Sequence, residues 1–300
     1  MHIIYSPEYE VDIGAHVFPT AKYRLIKESL LKEKAASEND FILPQKASIE
    51  EVGLVHTAAY IEKLKNASLS YAEILKLELP YSEKLVGASY LCAGGTILTS
   101  RYALKEKLSV HLGGGFHHAY ADHGEGFCVF NDIAIAVRVL QKECLIKKAL
   151  VVDVDLHQGN GTAAIFRGDK NVFTFSIHQE NLYPYPKDKG SLNIGLSDGS
   201  GDEEYLGCLK EAFMRITEEF NPDFAVYLAG ADPYKNDQLG NLDISLDGLK
   251  ERDEFSLGYF CKNKIPAAIV LGGGYAFDIK DTVVIHSNTI KAAGSLLKQP

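Results

Sequence analysis

Short apolar runs alternate along the chain with longer helix-like stretches. Five of the runs have the length of buried strands, and a polar or glycine-rich loop follows each: Leu108–Leu112, Leu150–Val154, Val172–Ile177, Phe224–Ala229 and Ala267–Leu271. The predicted helices are Ser82–Leu104, Asn131–Glu143, Glu203–Phe220 and Ser245–Lys262. Strands that alternate with long helices predict an α/β fold, in which helices cover both faces of an open parallel sheet.

Local signals mark the ends of the predicted helices. Ser82 followed by Glu83 is typical of a helix start, and Asn221 before Pro222 ends another helix. The chain has no Ser/Gly-rich linker and no internal repeat. The longest stretch without strand or helix signals, residues 179–203, indicates an ordered functional loop rather than a boundary. We therefore expect one domain, residues 1–300.

Composition and charge narrow the classes of function. The net charge is -9, and no basic cluster exists beyond isolated lysine pairs, which argues against nucleic-acid binding. The five cysteines are scattered and form no C-x-x-C pair, so a reduced cytoplasmic protein is favoured over a disulfide framework. The first residues lack the features of a signal peptide, and no apolar run approaches membrane-spanning length. We expect a cytoplasmic protein without membrane or nucleic-acid partners.

The segment Ala149–Gly161, A-L-V-V-D-V-D-L-H-Q-G-N-G, changes abruptly from apolar to acidic. Alternate residues of a strand share one face, so Asp153, Asp155 and His157 project together. Unpaired buried charge is costly, and a bound cation is the obvious compensation. One histidine with one or two aspartates suits zinc. Taken alone, a satisfied polar strand end explains Asp155 and His157 equally well.

The polar clusters all follow predicted strands, and in open α/β sheets ligands bind beyond the carboxyl ends of the strands. Asp232, in L-A-G-A-D-P-Y, is therefore the candidate for a third metal ligand, although a lone Asp before Pro more often caps a turn. Asp153 is nearer the sheet interior, so we assign it a role behind the ligands or at a monovalent ion. Together with nearby histidines, these residues favour a metal site.

Two glycine-rich loops could bring catalytic groups to the same edge. Gly113–Gly115 let the backbone bend tightly after a strand, which delivers His117 and His118 to the metal. Tandem histidines usually carry no function, but near zinc one can move a proton while the other stabilises charge. Tyr275 follows Gly272–Gly274, and its hydroxyl could stabilise a developing oxyanion. An ordinary surface tyrosine explains Tyr275 alone equally well.

These motifs resemble the histone deacetylase family. G-G-G-F-H-H, G-F-C-x-F-N-D, D-V-D-L-H-Q-G-N-G, F-S-I-H, A-G-A-D and L-G-G-G-Y occur in the family's order, and the resemblance covers nearly the whole chain. The segment H-V-F-P-T-A-K-Y-R-L is similar to bacterial members, and Leu239–Asp253 looks most like the class IV (histone deacetylase 11-like) branch. The resemblance implies an arginase-like open α/β fold and zinc-dependent hydrolysis of acylated lysine or a related acylated amine.

The resemblance also implies roles for individual residues. Asp155, His157 and Asp232 match the zinc ligands. His118 matches the general base and acid, and His117 its electrostatic partner. Tyr275 matches the hydroxyl that polarises the substrate carbonyl.

Supporting and substrate-binding positions follow from the same resemblance. Asp153 matches the carboxylate behind His117, which also helps to bind a potassium ion together with Ser176. Phe127 and Tyr183 match the walls of an acyl-lysine tunnel, and Leu239 matches a further lining position. Gly126, before Phe127, is another wall candidate, although composition alone allows ordinary packing for Gly126, Phe127 and Tyr183.

Asn160 departs from class I members, which place an aspartate behind the second histidine. Asparagine can hold the ring but offers no negative charge, so we expect His118 to be less readily protonated. On this view Asn160→Asp raises the acidic limb of the pH–rate profile. Residues 66–82 differ too much to place the acidic rim residue of the family.

Three alternative functions remain from the sequence. A binuclear manganese ureohydrolase is poorly supported, because position 159 is glycine and Asp232 lacks a paired aspartate. A non-catalytic acyl-lysine-binding module is disfavoured by the presence of Tyr275 and both histidines. An amidohydrolase of acetylpolyamines or other small molecules stays open. The class IV resemblance also suggests that long fatty acyl groups are removed better than acetyl.

Overall fold

One eight-stranded sheet organises the molecule. The structure is a computed structural model, and it describes residues 1–298. The strands are β1 (Ile3–Ile4), β2 (Phe41–Ile42), β3 (Leu108–His111), β4 (Ala149–Asp153), β5 (Val172–Gln179), β6 (Leu192–Leu196), β7 (Phe224–Leu228) and β8 (Ala267–Val270). Every neighbouring pair is parallel, in the order β2-β1-β3-β8-β7-β4-β5-β6. The prediction of an open parallel sheet is confirmed.

Helices cover both faces of the sheet. They are α1 (Lys22–Lys32), α2 (Ile49–Val52), α3 (Ala58–Lys65), α4 (Tyr71–Leu77), α5 (Glu83–Glu106), α6 (Asp132–Lys142), α7 (Asn160–Ile165), α8 (Asp202–Glu219), α9 (Leu246–Lys262) and α10 (Ile279–Leu296). Helices α5 and α6 pack together, and α1, α10, α9 and α8 pack in a second row. Alternate residues of β4 enter separate apolar clusters, Val151 with α6 and Leu150 with α8 and α9. The predicted two-sided burial is therefore confirmed.

The apolar pattern indicated the central elements and missed the peripheral ones. All five predicted strands and all four predicted helices are present. Strands β1 and β2 are only two residues long. Helix α10 buries Thr282, His286, Ser287 and Thr289, and these polar residues blur the apolar stripe that would reveal a helix.

The expectation for residues 179–203 is wrong in part, because this stretch contains strand β6. Only the two terminal residues of β6 are buried, as is usual for a strand at the edge of a sheet, and its sequence L-N-I-G-L lacks a continuous apolar run. The expected single domain includes Gln299 and Pro300, which lie outside the described residues, and it stays a prediction. Within residues 1–298, no helix has the length and apolar character needed to span a membrane.

The four central strands point their carboxyl ends at one place. Strand β8 pairs with β3 on one side and with β7 on the other, and β7 also pairs with β4. The loops after these strands are the four that carry the predicted catalytic and metal-binding residues. The sheet therefore gathers segments that are more than a hundred residues apart in the chain.

Candidate active site

Asp155, His157 and Asp232 form a buried cluster at this edge of the sheet. Nδ1 of His157 lies 3.3 Å from Oδ1 of Asp155 and 3.2 Å from Oδ2 of Asp232. One possible ligand atom from each residue lies within 4.8 Å of the other two. Tetrahedral zinc with bonds of about 2.0 Å places neighbouring ligand atoms roughly 3.3 Å apart. The donor set and its spacing therefore fit one zinc ion with a position left open.

The electrostatics of the cluster favour a positive charge. Burial and the neighbouring Asp155 carboxylate raise the pKa of Asp232 to about 6. Burial alone would lower the pKa of His157, but the two aspartates raise it to about 10. The protein has thus placed two carboxylates where a proton or a metal ion must offset their repulsion.

Backbone groups fix both carboxylates. The amide of Gly273 donates to Oδ2 of Asp155 at 2.8 Å, and the amide of Leu156 donates to Oδ1 of Asp232 at 3.0 Å. A Cβ atom at position 273 would collide with both carboxylates. Glycine is therefore required there for the loop after β8 to approach the loops after β4 and β7.

Asp132 shapes the loop that carries the paired histidines. Its buried carboxylate, at the start of α6, accepts hydrogen bonds from the amides of Gly115 at 3.0 Å and Phe116 at 2.8 Å. The hydroxyl of Thr96 in α5 donates to the same carboxylate at 2.5 Å. Asp132 belongs to the motif G-F-C-x-F-N-D, but no local pattern indicates this role.

His117 is buried against Asp153, with Nδ1 2.7 Å from Oδ2. Burial disfavours the charged ring, but the charges of Asp153 and Asp155 raise the pKa of His117 to about 9. The two carboxylates therefore favour the protonated His117 ring, and its electrostatic role in catalysis stays a prediction.

The surroundings of His118 favour the neutral ring instead. Its Nδ1 lies 2.7 Å from Oδ1 of Asn160, and its ring centroid is 4.0 Å from that of His117. Burial and the charges of His117 and His157 hold the pKa of His118 well below its usual range. A neutral ring can accept a proton, as a general base must.

Hydrogen bonds from the loop after β7 hold the backbone of Tyr275. Its amide donates to Oδ2 of Asp237 at 2.7 Å, and its carbonyl accepts from Nε2 of Gln238 at 2.7 Å. Its ring lies 5.9 Å from Phe127 and 6.3 Å from Phe18, measured between centroids. Asp237 and Phe18 were not among the residues expected from sequence.

The predicted wall residues do not all occupy one surface. The ring of Tyr183 lies 5.0 Å from that of His118, and a Cβ at Gly126 would come within 2.7 Å of the Tyr183 hydroxyl. Phe127 lines the cavity beside Tyr275. Leu239 is half-buried on the loop after β7, where its amide donates to Asp237 at 2.9 Å. The roles of these residues in binding stay predictions.

A small cavity lies beside the cluster. Its volume is about 30 Å³, which is space for roughly one water-sized group. Besides the histidines and the metal-site residues, it is lined by Phe18, Tyr23, Phe116, Phe127, Cys128 and Tyr275. The walls are thus largely aromatic.

Ser176 lies beside Asp153 in the neighbouring strand. The two residues are register partners in the pairing of β4 with β5. The hydroxyl of Ser176 lies 2.9 Å from Nδ1 of His178, and the Asp153 carboxylate accepts from the amide of Asp155 at 3.2 Å. The structure brings both predicted potassium-binding residues together, and the ion itself stays a prediction.

Two buried cations near the site were not expected from sequence. Nζ of Lys22 donates to the carbonyl of Gly272 at 2.7 Å, and burial lowers the pKa of Lys22 to about 8. Nη1 of Arg252 donates to the carbonyls of Gly230 at 2.6 Å and Val154 at 3.3 Å. Both cations therefore bind backbone carbonyls just after strands β4, β7 and β8, where the loops of the site begin. Charged helix residues are usually solvent-exposed, so nothing in the pattern separated these two from the rest.

Comparisons with known proteins identify the family and the fold. The model of the histone deacetylase domain matches residues 16–289. An uncharacterized protein of Picosynechococcus sp. (strain ATCC 27264 / PCC 7002 / PR-6) is 37% identical over 97% of both chains. A probable deacetylase of Methanothermobacter thermautotrophicus is 32% identical over 92% of this chain and 86% of its own length. The crystal structure of an HDAC homolog complexed with SAHA, 24% identical, shares the fold with a TM-score of 0.81 over 99% of this chain and 88% of its own. The chain belongs to the histone deacetylase family.

Proposed function

We propose that this protein is a zinc-dependent amidohydrolase that removes the acyl group from N-acylated lysine or a related acylated amine. The observation that carries the proposal is geometric: the two-aspartate, one-histidine cluster lies against the paired histidines. Nε2 of His117 is 3.7 Å from Oδ1 of Asp155, and the ring centroid of His118 is 5.9 Å from that of His157. The aspartates favour a protonated His117 and burial favours a neutral His118. In a hydrolase, a charged ring can stabilise developing charge while a neutral ring accepts a proton.

The metal and the side chains divide the chemistry. When bound by Asp155, His157 and Asp232, zinc lowers the pKa of water to about 7 and polarises the acyl carbonyl. Neutral His118 accepts a proton at Nε2 from the attacking water and then donates it to the leaving amine. Tyr275 donates a hydrogen bond to the developing oxyanion.

Asp155→Ala tests the metal assignment. We expect this variant to lose zinc, measured by metal analysis, and to lose turnover of an acetyl-lysine peptide. Asp247→Ala removes an exposed carboxylate of α9 and serves as the matched control. Normal zinc content and turnover in Asp155→Ala would show that the ligand assignment is wrong.

The same measurements separate the alternative functions. Two manganese ions per chain would support a binuclear ureohydrolase. Binding of an acetyl-lysine peptide without turnover by the zinc-loaded protein would support a binding module. Turnover that a chelator abolishes and zinc restores supports the hydrolase.

The aromatic walls of the cavity support a compact acyl group. Phe18, Phe127 and Tyr275 place bulky rings close to Asp155 and His157, which favours a small group at this end of the site. We therefore propose that acetyl is preferred over myristoyl, in contrast to the expectation from the class IV resemblance. Acetyl-lysine, myristoyl-lysine and acetylpolyamine substrates, assayed side by side, test this preference. A higher kcat/KM for myristoyl-lysine would contradict it.

Phe18→Ala provides a matched test of the cavity. The ring of Phe18 packs against those of both Phe127 and Tyr275, with centroids 6.2 and 6.3 Å away, so its removal enlarges the cavity and leaves the metal ligands in place. We expect the variant to lower the ratio of kcat/KM for acetyl-lysine to kcat/KM for longer acyl-lysines. An unchanged preference would show that the acyl chain lies elsewhere.

The other expectations from the sequence also remain proposals. We propose a structural potassium ion at Asp153 and Ser176, which a potassium-dependent rise in Tm would support and which sodium should not reproduce. We also propose that the protein is a bacterial member of the class IV branch, that it is cytoplasmic and that it has no nucleic-acid partner.

A further inference from the structure

Glu125 occupies the position behind Asn160, in the loop between the paired histidines and α6. The side chain is largely buried, and Oε1 accepts hydrogen bonds from Nδ2 of Asn160 at 2.9 Å and from the hydroxyl of Tyr183 at 2.8 Å. Oε2 lies 2.9 Å from Nζ of Lys76 and 3.3 Å from Nε2 of His123. Both oxygens of the Glu125 carboxylate thus have partners. The carboxylate contacts Asn160, which in turn contacts His118.

The charge state of Glu125 is settled by these contacts. Burial alone would raise its pKa, but hydrogen bonds from His123, Lys76, Tyr183 and Asn160 lower it to about 2. The carboxylate is therefore ionised at every pH at which the protein would work. An ionised carboxylate can only accept hydrogen bonds.

This fixes the orientation of the Asn160 amide. The NH₂ group must face Glu125, because a flipped amide would press its oxygen against the carboxylate. The amide oxygen then faces Nδ1 of His118 at 2.7 Å, and an oxygen acceptor there requires Nδ1 to carry the proton. The lone pair of His118 is left on Nε2, where a general base needs it.

We propose that Glu125 is a positioning residue that sets the tautomer of His118 through Asn160. The inference rests on the proposed function only in giving His118 the role of base; the hydrogen-bond chain itself does not depend on it. Through this hydrogen-bond chain, Glu125 supplies the negative charge that Asn160 itself lacks. That charge lies two hydrogen bonds from the ring instead of one.

Exchanging the two groups tests the proposal. Asn160→Asp alone places a second carboxylate where the amide now lies 2.9 Å from Glu125, and like charges at that distance repel. We expect Asn160→Asp to lower kcat by roughly 10-fold or more, as supporting hydrogen-bond partners of active-site groups do. The exchange Asn160→Asp/Glu125→Gln restores one carboxylate and one amide, and we expect it to recover most of the loss.

Tautomer measurement supplies a readout that does not depend on turnover. Nitrogen-15 NMR of histidine-labelled protein distinguishes a proton on Nδ1 from one on Nε2, and His118→Gln identifies the His118 signals. We expect Nδ1–H in the wild type and in the exchange variant, and a mixture of tautomers in Glu125→Ala. Lys76→Met, which removes a partner of the other oxygen, is the control and should keep Nδ1–H.

Two results would overturn the proposal. One is an unmixed Nδ1–H tautomer in Glu125→Ala. The other is an exchange variant no more active than Asn160→Asp. If the wild type hydrolyses none of the acyl substrates, the proposed function fails, while the NMR comparison still decides the role of Glu125.

Discussion

The Asp153 carboxylate lies 2.7 Å from Nδ1 of His117, and both side chains are buried. We predict that Asp153→Asn lowers kcat on the order of 10- to 100-fold, which is the range for removing such a supporting partner. An amide can still accept from Nδ1, but it offers no charge to hold the His117 ring protonated, so the pKa of His117 should fall. Steady-state kinetics and zinc analysis check this together. A kcat within twofold of wild type, at equal zinc content, would argue that the His117 charge is dispensable.

Tyr275→Phe should separate catalysis from folding. Loss of one oxyanion donor costs on the order of 10²–10³ in kcat. The Tm should stay near that of the wild type, because Asp237 and Gln238 hold the Tyr275 backbone independently of its hydroxyl. Single-turnover rates and thermal melts measure both quantities. A variant with nearly full kcat would show that the hydroxyl does not touch the reacting carbonyl.

Arg252→Met should destabilise the fold. The substitution leaves Asp253 without its cation and removes the donor to the carbonyls of Gly230 and Val154. Loss of one partner of a buried ion pair typically costs about 3–5 kcal/mol, which urea unfolding would measure. Lys250→Met removes an exposed charge of the same helix, and its effect should stay within roughly 0.5 kcal/mol. Equal stability of the two variants would contradict the anchoring role of Arg252.

His56, which is not part of the metal cluster, should make the stability of the fold fall at acidic pH. Its buried ring accepts from the amide of Asn131 at 3.0 Å, and burial lowers its pKa from 6.5 to about 4. The unfolded chain takes up the proton first, so stability is full above pH 6.5 and falls as the pH drops toward 4, by about 1.4 kcal/mol per unit.

His56→Gln removes this dependence, since glutamine stays neutral and can still accept from Asn131. Between pH 7 and pH 5, the wild type should lose about 2 kcal/mol more than the variant. Urea unfolding at pH 7, 6 and 5 provides the comparison. Parallel stability profiles would show that His56 does not titrate on unfolding.

The sequence predicted those parts of the molecule that a local pattern records. The apolar run of β4 followed by Asp155 and His157 indicated both a buried strand and a metal site. The shared edge then followed from parallel topology, which requires no knowledge of distant contacts. Asp232, a lone residue, gained significance only from its place after a strand.

What escaped prediction depends on partners far apart in the chain. Nothing local shows that Glu125 faces Asn160, since the contact exists only once the loop after β4 meets the loop before α6. Lys22 and Arg252 have the charges of ordinary surface residues, and only the tertiary structure buries them. Strand β6 was missed because only its two terminal residues are buried.

Strand β8 has a consequence for how the protein is made. It lies between β3 and β7 and is the last strand to leave the ribosome. Before it is in place, the paired histidines belong to a three-stranded half and the metal ligands to a four-stranded half. A nascent chain that ends before Ala267 thus carries every proposed ligand and both histidines but lacks the strand that joins the two halves of the sheet, and it lacks Gly273 and Tyr275. The complete arrangement of the site therefore depends on the last strand to be synthesised.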